Sequence, residues 1–372
     1  MSSYDVLVRG AGAVGLATAL ALSRQGLSVA LLGPLDEPAG EDLRSYALNA
    51  ASVSLLAQLK VWEAIPFDAR TQVHDMHVQG DAPGAAIDFS AWAQGLGELA
   101  WIVDASELER ALRAVVRYAA HVTPVPAAVP ATLQVLAEGK DSATRSELGV
   151  TMTRHPYGHR GIAARLLSDR PHAGLARQWF RSPDVLALLP LDRPRFNGLA
   201  GHGLGLVWSV PDARADELMA LTDADFTATL MDATAGAAGH LTLASARAQW
   251  PLALAQASAW YGPGWVLAGD AAHLVHPLAG QGLNLGLGDV IALAEVLSAR
   301  ESWRGLGDPR LLARYARRRL GPTLAMAQVC DGLLHLFASP DPLVKELRNR
   351  GLTLVNHLPP IKRLLTGGAL GA

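Results

Sequence analysis

The sequence predicts an α/β protein, α+β overall. A doubly wound α/β domain carries an inserted, mainly antiparallel β-sheet and is followed by C-terminal helices. Three observations support this fold class. A strand, a glycine turn and a helix open the chain, and the same order returns from residue 266 onward. Between residues 155 and 252 the alternation of strands and helices is replaced by short strand-like runs, which are typical of an antiparallel sheet.

The first element is a predicted strand from Asp5 to Val8, followed by a glycine turn, an apolar helix and a second strand. The turn has the pattern GxGxxG, formed by Gly10, Gly12 and Gly15. In this pattern the first glycine turns tightly, the second lets the backbone approach a pyrophosphate, and the third lets the helix pack on the strand. The context predicts a Rossmann-like dinucleotide site. The alternative is a glycine-rich helix start that binds no ligand.

Two residues beside this motif depart from the usual pattern. The second strand of such a site often ends in Asp or Glu, which binds the adenosine ribose. This chain has Gly33 at that position, with Asp36 and Glu37 shortly after it. Arg9 directly precedes the first glycine, and the sequence offers no explanation for it. How the adenosine end of a dinucleotide is held therefore stays open.

The middle of the chain supplies further elements, which apolar periodicity and turn residues define. In chain order they are a helix over 44–65, a hairpin over 73–89, a strand and a helix over 101–119, and a helix over 223–237 that interrupts the strand-like runs. Trp179, Trp208 and Trp250 lie within those runs. We interpret these three as core anchors rather than as substrate contacts.

The second glycine-containing motif lies between residues 266 and 297. Val266 to Ala268 predicts a buried strand, which Gly269 and Asp270 close, and a helix rich in leucine follows a loop containing Pro277. A helix start presents free N–H groups and a partial positive charge, so it suits an anionic or electron-rich ligand. We therefore expect a cofactor between Asp270 and the start of this helix.

This motif carries a family resemblance. The run GDAAHLVHPLAGQGLNLG, residues 269–286, resembles the second flavin motif of FAD-dependent aromatic-ring monooxygenases related to para-hydroxybenzoate hydroxylase. Its part over 276–282 resembles the ubiquinone-biosynthesis hydroxylases in particular. Residues 137–145, AEGKDSATR, resemble a third motif of the family, with Glu138 in place of the usual Asp. Arg44 lies in a segment that resembles the one whose arginine lies beside the flavin.

The resemblance implies cofactor-binding roles for residues of both flavin motifs, namely Gly10, Gly12, Gly15, Arg44, Gly269, Asp270, Pro277, Gly280, Gln281, Gly282 and Asn284. Asp270 is expected to bind the ribityl chain, and N–H groups near Gly280 to Gly282 to face the pyrimidine edge of the isoalloxazine. The implied domains are a discontinuous FAD-binding domain (1–70, 92–154 and 253–325), a substrate domain (71–91 and 155–252) and a C-terminal helical segment (326–372).

The resemblance further implies an FAD-dependent monooxygenase. It would hydroxylate an aromatic ring, a prenylated phenol of ubiquinone biosynthesis, with molecular oxygen and with NADH or NADPH as a transient electron donor. No catalytic base is identified, and we interpret His273 as a helix-capping or flavin-packing residue. Two alternatives remain. One is a hydroxylase of the same fold that acts on an unrelated phenol or a secondary metabolite. The other is a non-catalytic flavin-binding scaffold in a biosynthetic complex. This alternative rests on Gly33 and Glu138, which differ from the family pattern.

The composition indicates which partners the protein can bind and in which compartment it is expected. The formal net charge is -2, which argues against nucleic-acid binding. The single cysteine, Cys330, excludes a disulfide within the chain, and no metal-ligand spacing appears. Because the first residues do not resemble a secretory signal, we expect a cytoplasmic protein. The basic, apolar stretch over 342–372 either contacts the inner face of a membrane or a partner, or packs on its own domain.

Overall fold

The fold was obtained as a computed structural model, which describes residues 4–36, 42–82, 84–192, 199–275 and 281–338, together with Glu346. The strands within these residues are β1 Tyr4–Arg9, β2 Val29–Leu32, β3 Ser45–Leu48, β4 Arg70–Val73, β5 Asp75–Gln79, β6 Ala86–Ser90, β7 Ala100–Asp104, β8 Val122–Val125, β9 Ala131–Leu136, β10 Met152–Ser168, β11 Leu175–Arg181, β12 Asp184–Leu191, β13 Gly203–Pro211, β14 Leu241–Leu243, β15 Ala248–Ala257, β16 Tyr261–Gly262, β17 Trp265–Leu267 and β18 His273–Leu274. The α-helices are α1 Ala13–Ser23, α2 Ala50–Gln58, α3 Ala105–Arg117, α4 Ala143–Glu147, α5 Asp212–Ala220, α6 Asp223–Thr234, α7 Gln281–Ser298 and α8 Pro309–Ala338.

A six-stranded sheet with the order β16-β17-β9-β1-β2-β8 forms the first layer. All its pairs are parallel except that of β16 with β17. The central strand β1 is apolar without alternation, and Val6, Leu7 and Val8 are buried. This is expected because helices cover both faces of a parallel sheet. The doubly wound part of the predicted fold class is thereby confirmed.

A nine-stranded sheet forms the second layer, with the order β18-β15-β10-β13-β12-β11-β5-β6 and with β14 paired to β10. Its pairs are antiparallel apart from that of β5 with β11, so the prediction of a mainly antiparallel sheet is confirmed. The predicted hairpin over 73–89 is β5 and β6, which extend this sheet. Trp179 and Trp208 are core residues where the sheet packs on α5 and α6. The exact domain boundaries stay a prediction.

One predicted element was wrong in part. Apolar residues of the segment 44–65 recur at helical spacing, yet Ser45–Leu48 is the strand β3 and the helix α2 begins only at Ala50. β3 pairs with β7 in a small three-stranded sheet. Pairing with a strand distant in sequence therefore outweighs the local pattern. Among the described helices, none is both long enough and apolar enough to cross a bilayer.

Candidate active site

A cavity of about 990 Å³ lies against the nine-stranded sheet. The sheet lines it with mostly apolar side chains, including those of Ala163, Leu189, Val207 and Leu252. Segments outside this sheet contribute polar groups instead: Arg44, Asn49, Glu138, Lys140, Asp141, Asp270 and Asn284. Concave, mostly apolar sites with a few placed polar groups are typical of small-molecule binding.

The glycine turn at the end of β1 has the geometry that its pattern predicts. Gly10 has a φ of 109°, and a Cβ there would collide with the carbonyl oxygen of Ala137. A Cβ on Gly15 would collide with the carbonyl oxygen of Gly10, whereas a Cβ on Gly12 would meet no atom of the described residues within 4 Å. Helix α1, which starts here, has no side-chain N-cap and no acidic residue in its first turn. Its first N–H groups are therefore free to bind an anion such as a pyrophosphate.

The two flavin-like motifs meet through helix α1. The nearest atoms to a Cβ built on Gly269 or on Gly286 belong to the side chain of Val14. Both glycines thus allow α1 to pack closely on the turn after β17 and on α7. Of the predicted cofactor residues, Arg44, Asp270, Gly282 and Asn284 line the cavity, while Gly10, Gly12, Gly15 and Gly269 do not. Gln281 begins α7, and Pro277 and Gly280 lie outside the described residues.

Arg9 and Glu138, which both differ from the usual pattern of their motifs, form an ion pair. Arg9 Nε donates a hydrogen bond to Glu138 Oε1 at 3.1 Å, between the neighbouring strand ends of β1 and β9. Ser142 Oγ and Thr144 Oγ1 donate to the same carboxylate, at 2.6 and 2.9 Å. Burial by itself would raise the pKa of Glu138, but these three donors lower it below its usual range. The longer side chain at position 138 is therefore accompanied by a cation that it can reach.

Gly33 has a steric explanation. It has a φ of 152°, and a Cβ at this position would lie 2.8 Å from the backbone nitrogen of Ala11 in the glycine turn. A larger residue there would displace the turn. The carboxylate that often stands at this position is consequently absent, and Asp36 is exposed.

Asp270 is accessible from the cavity and lies within the short turn Gly269–Ala271 that follows β17. Burial among the surrounding walls raises the pKa of its carboxyl, and the charges of His273 and Arg44 offset only part of this effect. Arg44 itself forms a two-pronged ion pair with Asp42, with Nη2 2.7 Å from Oδ2 and Nε 2.9 Å from Oδ1. The polar end of the cavity therefore presents a carboxylate and a guanidinium to a ligand.

Asp289, which the sequence did not indicate as a site residue, holds the turn at Gly269 in place through a hydrogen bond. It is fully buried in α7. Its Oδ2 accepts a hydrogen bond from the Gly269 backbone nitrogen at 2.9 Å and lies 2.7 Å from His273 Nε2. Its Oδ1 accepts from Arg319 Nε at 2.7 Å. His273, which also stacks on Trp260, is thus committed to a buried pair and does not line the cavity.

Asn284 and Arg165 form hydrogen bonds that connect the elements around the cavity. Asn284 Oδ1 accepts hydrogen bonds from the Asn49 backbone nitrogen at 3.0 Å and from Ser52 Oγ at 2.7 Å, and its Nδ2 donates to the Ala47 carbonyl at 2.7 Å. Arg165 on β10 is 2 % exposed, and its Nη2 donates to Asp104 Oδ2 at 2.9 Å. These contacts hold β3, α2 and the nine-stranded sheet in register around the cavity.

Comparisons with known proteins agree with this geometry. The sequence profile of the FAD binding domain family matches residues 3–125 and 107–329. The ubiquinone hydroxylase UbiL of Rhodospirillum rubrum is 30% identical over 99% of this chain and 89% of its own length. The 3-demethoxyubiquinol 3-hydroxylase of Escherichia coli is 29% identical, over 99% of this chain and 98% of its own.

Solved structures share the fold. The p-nitrophenol 4-monooxygenase PnpA of Pseudomonas putida DLL-E4 superposes with a TM-score of 0.77 at 18% identity, covering 100% of this chain and 98% of its own. PqsL of Pseudomonas aeruginosa, in complex with 2-aminobenzoylacetate, gives a TM-score of 0.78 at 21% identity, covering 94% of this chain and 99% of its own.

The family profile spans most of the chain, and UbiL is aligned with nearly all of it. FAD is accordingly the cofactor, with NADH or NADPH as the usual electron donor and with an aromatic compound and molecular oxygen as substrates. The chain belongs to the FAD binding domain family and, within it, to the FAD-dependent aromatic-ring monooxygenases of the ubiquinone-biosynthesis hydroxylase group.

Proposed function

We propose that this enzyme hydroxylates the ring of a prenylated phenol in ubiquinone biosynthesis. The observation that carries the proposal is the cavity of about 990 Å³, whose apolar walls on the nine-stranded sheet meet a polar end around Asp270. An apolar wall suits both the ring and a prenyl tail. The curated relatives UbiL and 3-demethoxyubiquinol 3-hydroxylase support the same substrate class.

The chain's residues fit FAD at both ends of the site. In the proposed arrangement the free N–H groups at the start of α1, beside Gly12, bind the pyrophosphate. Asp270 would accept hydrogen bonds from the ribityl chain, and the start of α7 near Gly282 would stabilise negative charge on the flavin ring. The roles of Pro277 and Gly280 stay predictions for residues outside those described.

When bound and reduced, FAD supplies the activation of molecular oxygen. The protein has to exclude water from the site, because water would divert the activated oxygen into hydrogen peroxide. In the proposed arrangement the mostly apolar lining from β10, β12, β13 and β15 would serve this purpose at the substrate side. Trp250, interpreted from sequence as a core anchor, lines the cavity instead: its ring packs on Gly161, the residue opposite it on β10.

The proposal is tested by visible spectroscopy and product analysis. We expect the purified protein to show flavin bands that bleach when NADH or NADPH is added anaerobically. With oxygen and 2-farnesylphenol, a short-tailed prenylphenol, we expect a product that has gained one oxygen atom. Well-coupled turnover of untailed phenols, but not of 2-farnesylphenol, would instead favour an unrelated phenol as substrate. Absence of flavin bands after soaking in FAD would contradict the enzyme assignment itself.

We propose further that the enzyme works against a membrane surface, where prenylated substrates reside. Trp92 is 92 % exposed and Leu96 is also exposed, on the segment between β6 and β7. The same two strands line the cavity through Phe89 and Ala100. An exposed tryptophan on a segment whose flanking strands line the cavity suits the interfacial region of a bilayer.

Replacing Trp92 by serine is expected to reduce membrane binding several-fold, because the indole would no longer insert among the lipid headgroups. The measurement is co-sedimentation with vesicles of phosphatidylethanolamine and phosphatidylglycerol. Trp303, also exposed but located between α7 and α8, provides the matched control Trp303→Ser. Equal sedimentation of both variants and the wild-type protein would contradict this docking face.

A further inference from the structure

The floor of the cavity contains one row of residues that crosses four strands of the nine-stranded sheet. Gln178 on β11 is opposite Ala187 on β12, which is opposite Val207 on β13, which is opposite Ala163 on β10. All four line the cavity. Three of them are small and apolar, so the row leaves space above the sheet and offers a ligand one polar side chain, Gln178.

Gln178 is 7 % exposed. Its side-chain amide makes no hydrogen bond within the described residues, and it is not fully enclosed because it borders the cavity. Its orientation follows from strand alternation. Ala176, two residues earlier, lies in the apolar cluster beside the cavity, whereas Trp179 packs on the opposite face with α5 and α6. The amide of Gln178 therefore points towards the cavity. An amide that borders a mostly apolar cavity and makes no hydrogen bond within the described protein is available to bind a ligand there.

We propose that the Gln178 amide hydrogen-bonds the ring oxygen of the aromatic substrate and so orients the ring. The inference rests on the proposed function and specifies how that site recognises its substrate. An amide can accept a hydrogen bond from a phenol hydroxyl and can donate one to a phenolate or carbonyl oxygen. A polar group placed for one substrate hydroxyl also discriminates against analogues that lack it, because they leave the amide unpaired.

The variant Gln178→Met tests this with little change in side-chain volume. If the amide serves only the substrate, the ligand-free Gln178→Met variant should be about as stable as the ligand-free wild-type protein, because no hydrogen bond within the protein is lost. If the amide served the fold, the variant would be less stable. Thermal unfolding of the protein without substrate distinguishes these outcomes. Gln249 on β15, which is exposed and does not line the cavity, provides the matched control Gln249→Met.

Binding is then measured with two probes, 2-farnesylphenol and farnesylbenzene, which lacks the hydroxyl. We expect the wild-type protein and Gln249→Met to bind the phenol roughly tenfold more tightly than the hydrocarbon, and Gln178→Met to lose most of this preference. An unchanged preference in Gln178→Met would overturn the inference while leaving the proposed function intact. A wild-type protein that binds neither probe would overturn the proposed substrate and the inference with it.

Discussion

Replacing Gly15 by alanine is expected to give a less stable protein that is purified without flavin. A Cβ at this position would collide with the carbonyl oxygen of Gly10, so helix α1 would have to move away from the glycine turn. Overpacking of a closely packed contact costs about 1–3 kcal/mol. The displaced helix start would no longer direct its N–H groups at the pyrophosphate. Denaturant unfolding without cofactor and the ratio of flavin to protein absorbance measure the two effects.

The matched control is Gly12→Ala in the same turn. A Cβ on Gly12 would meet no atom of the described protein within 4 Å, and the backbone there is extended, with a φ of -80°. We expect the stability without cofactor to remain within about 0.5 kcal/mol of wild type. The affinity for FAD should fall, because the added methyl group occupies the space through which the pyrophosphate approaches. If Gly12→Ala binds FAD as wild type does, this turn does not hold the pyrophosphate.

Replacing Asp289 by alanine should lower the free energy of unfolding by about 3–5 kcal/mol, because it leaves buried cationic and polar groups without a partner. The backbone nitrogen of Gly269, the ring of His273 and the guanidinium of Arg319 all bond to this carboxylate. Since Gly269 directly precedes Asp270, we also expect weaker FAD binding. Chemical denaturation and a flavin titration measure both quantities.

The control on the same helix is Glu295→Ala. Glu295 pairs with Arg318 across α7 and α8, but both side chains are exposed, so the change should be within about 1 kcal/mol. Comparable destabilisation by the two substitutions would contradict the assigned role of Asp289.

The stabilisation by Asp289 should also depend on pH. Burial raises the pKa of its carboxyl, but the contacts with His273 and Arg319 outweigh burial and lower the pKa below its usual range. A depressed pKa in the folded state stabilises the protein above the unfolded value of about 3.9 and ceases to do so as the pH falls through the folded value. The stability difference between wild type and Asp289→Ala should therefore narrow as the pH falls below about 4.

The sequence predicted the elements that depend on neighbouring residues. β1, the glycine turn and α1 follow one another within 20 residues or so, and their glycines and apolar faces are local signals. The same holds for α7, which agrees with the predicted leucine-rich helix. Ser45–Leu48 was assigned wrongly because its strand structure comes from pairing with β7, more than 50 residues later.

The sequence by itself therefore determined the fold class, the family and the two glycine motifs, because each rests on short-range spacing. Only the tertiary structure showed that Arg9 pairs with Glu138, that Asp289 supports Gly269, and that Gln178 faces the cavity. Arg9 and Glu138 are 129 positions apart, and periodicity along the chain carries no information about contacts at that separation. The hydrogen-bond partners of a polar side chain depend on which residues folding brings next to it, and the sequence does not reveal them.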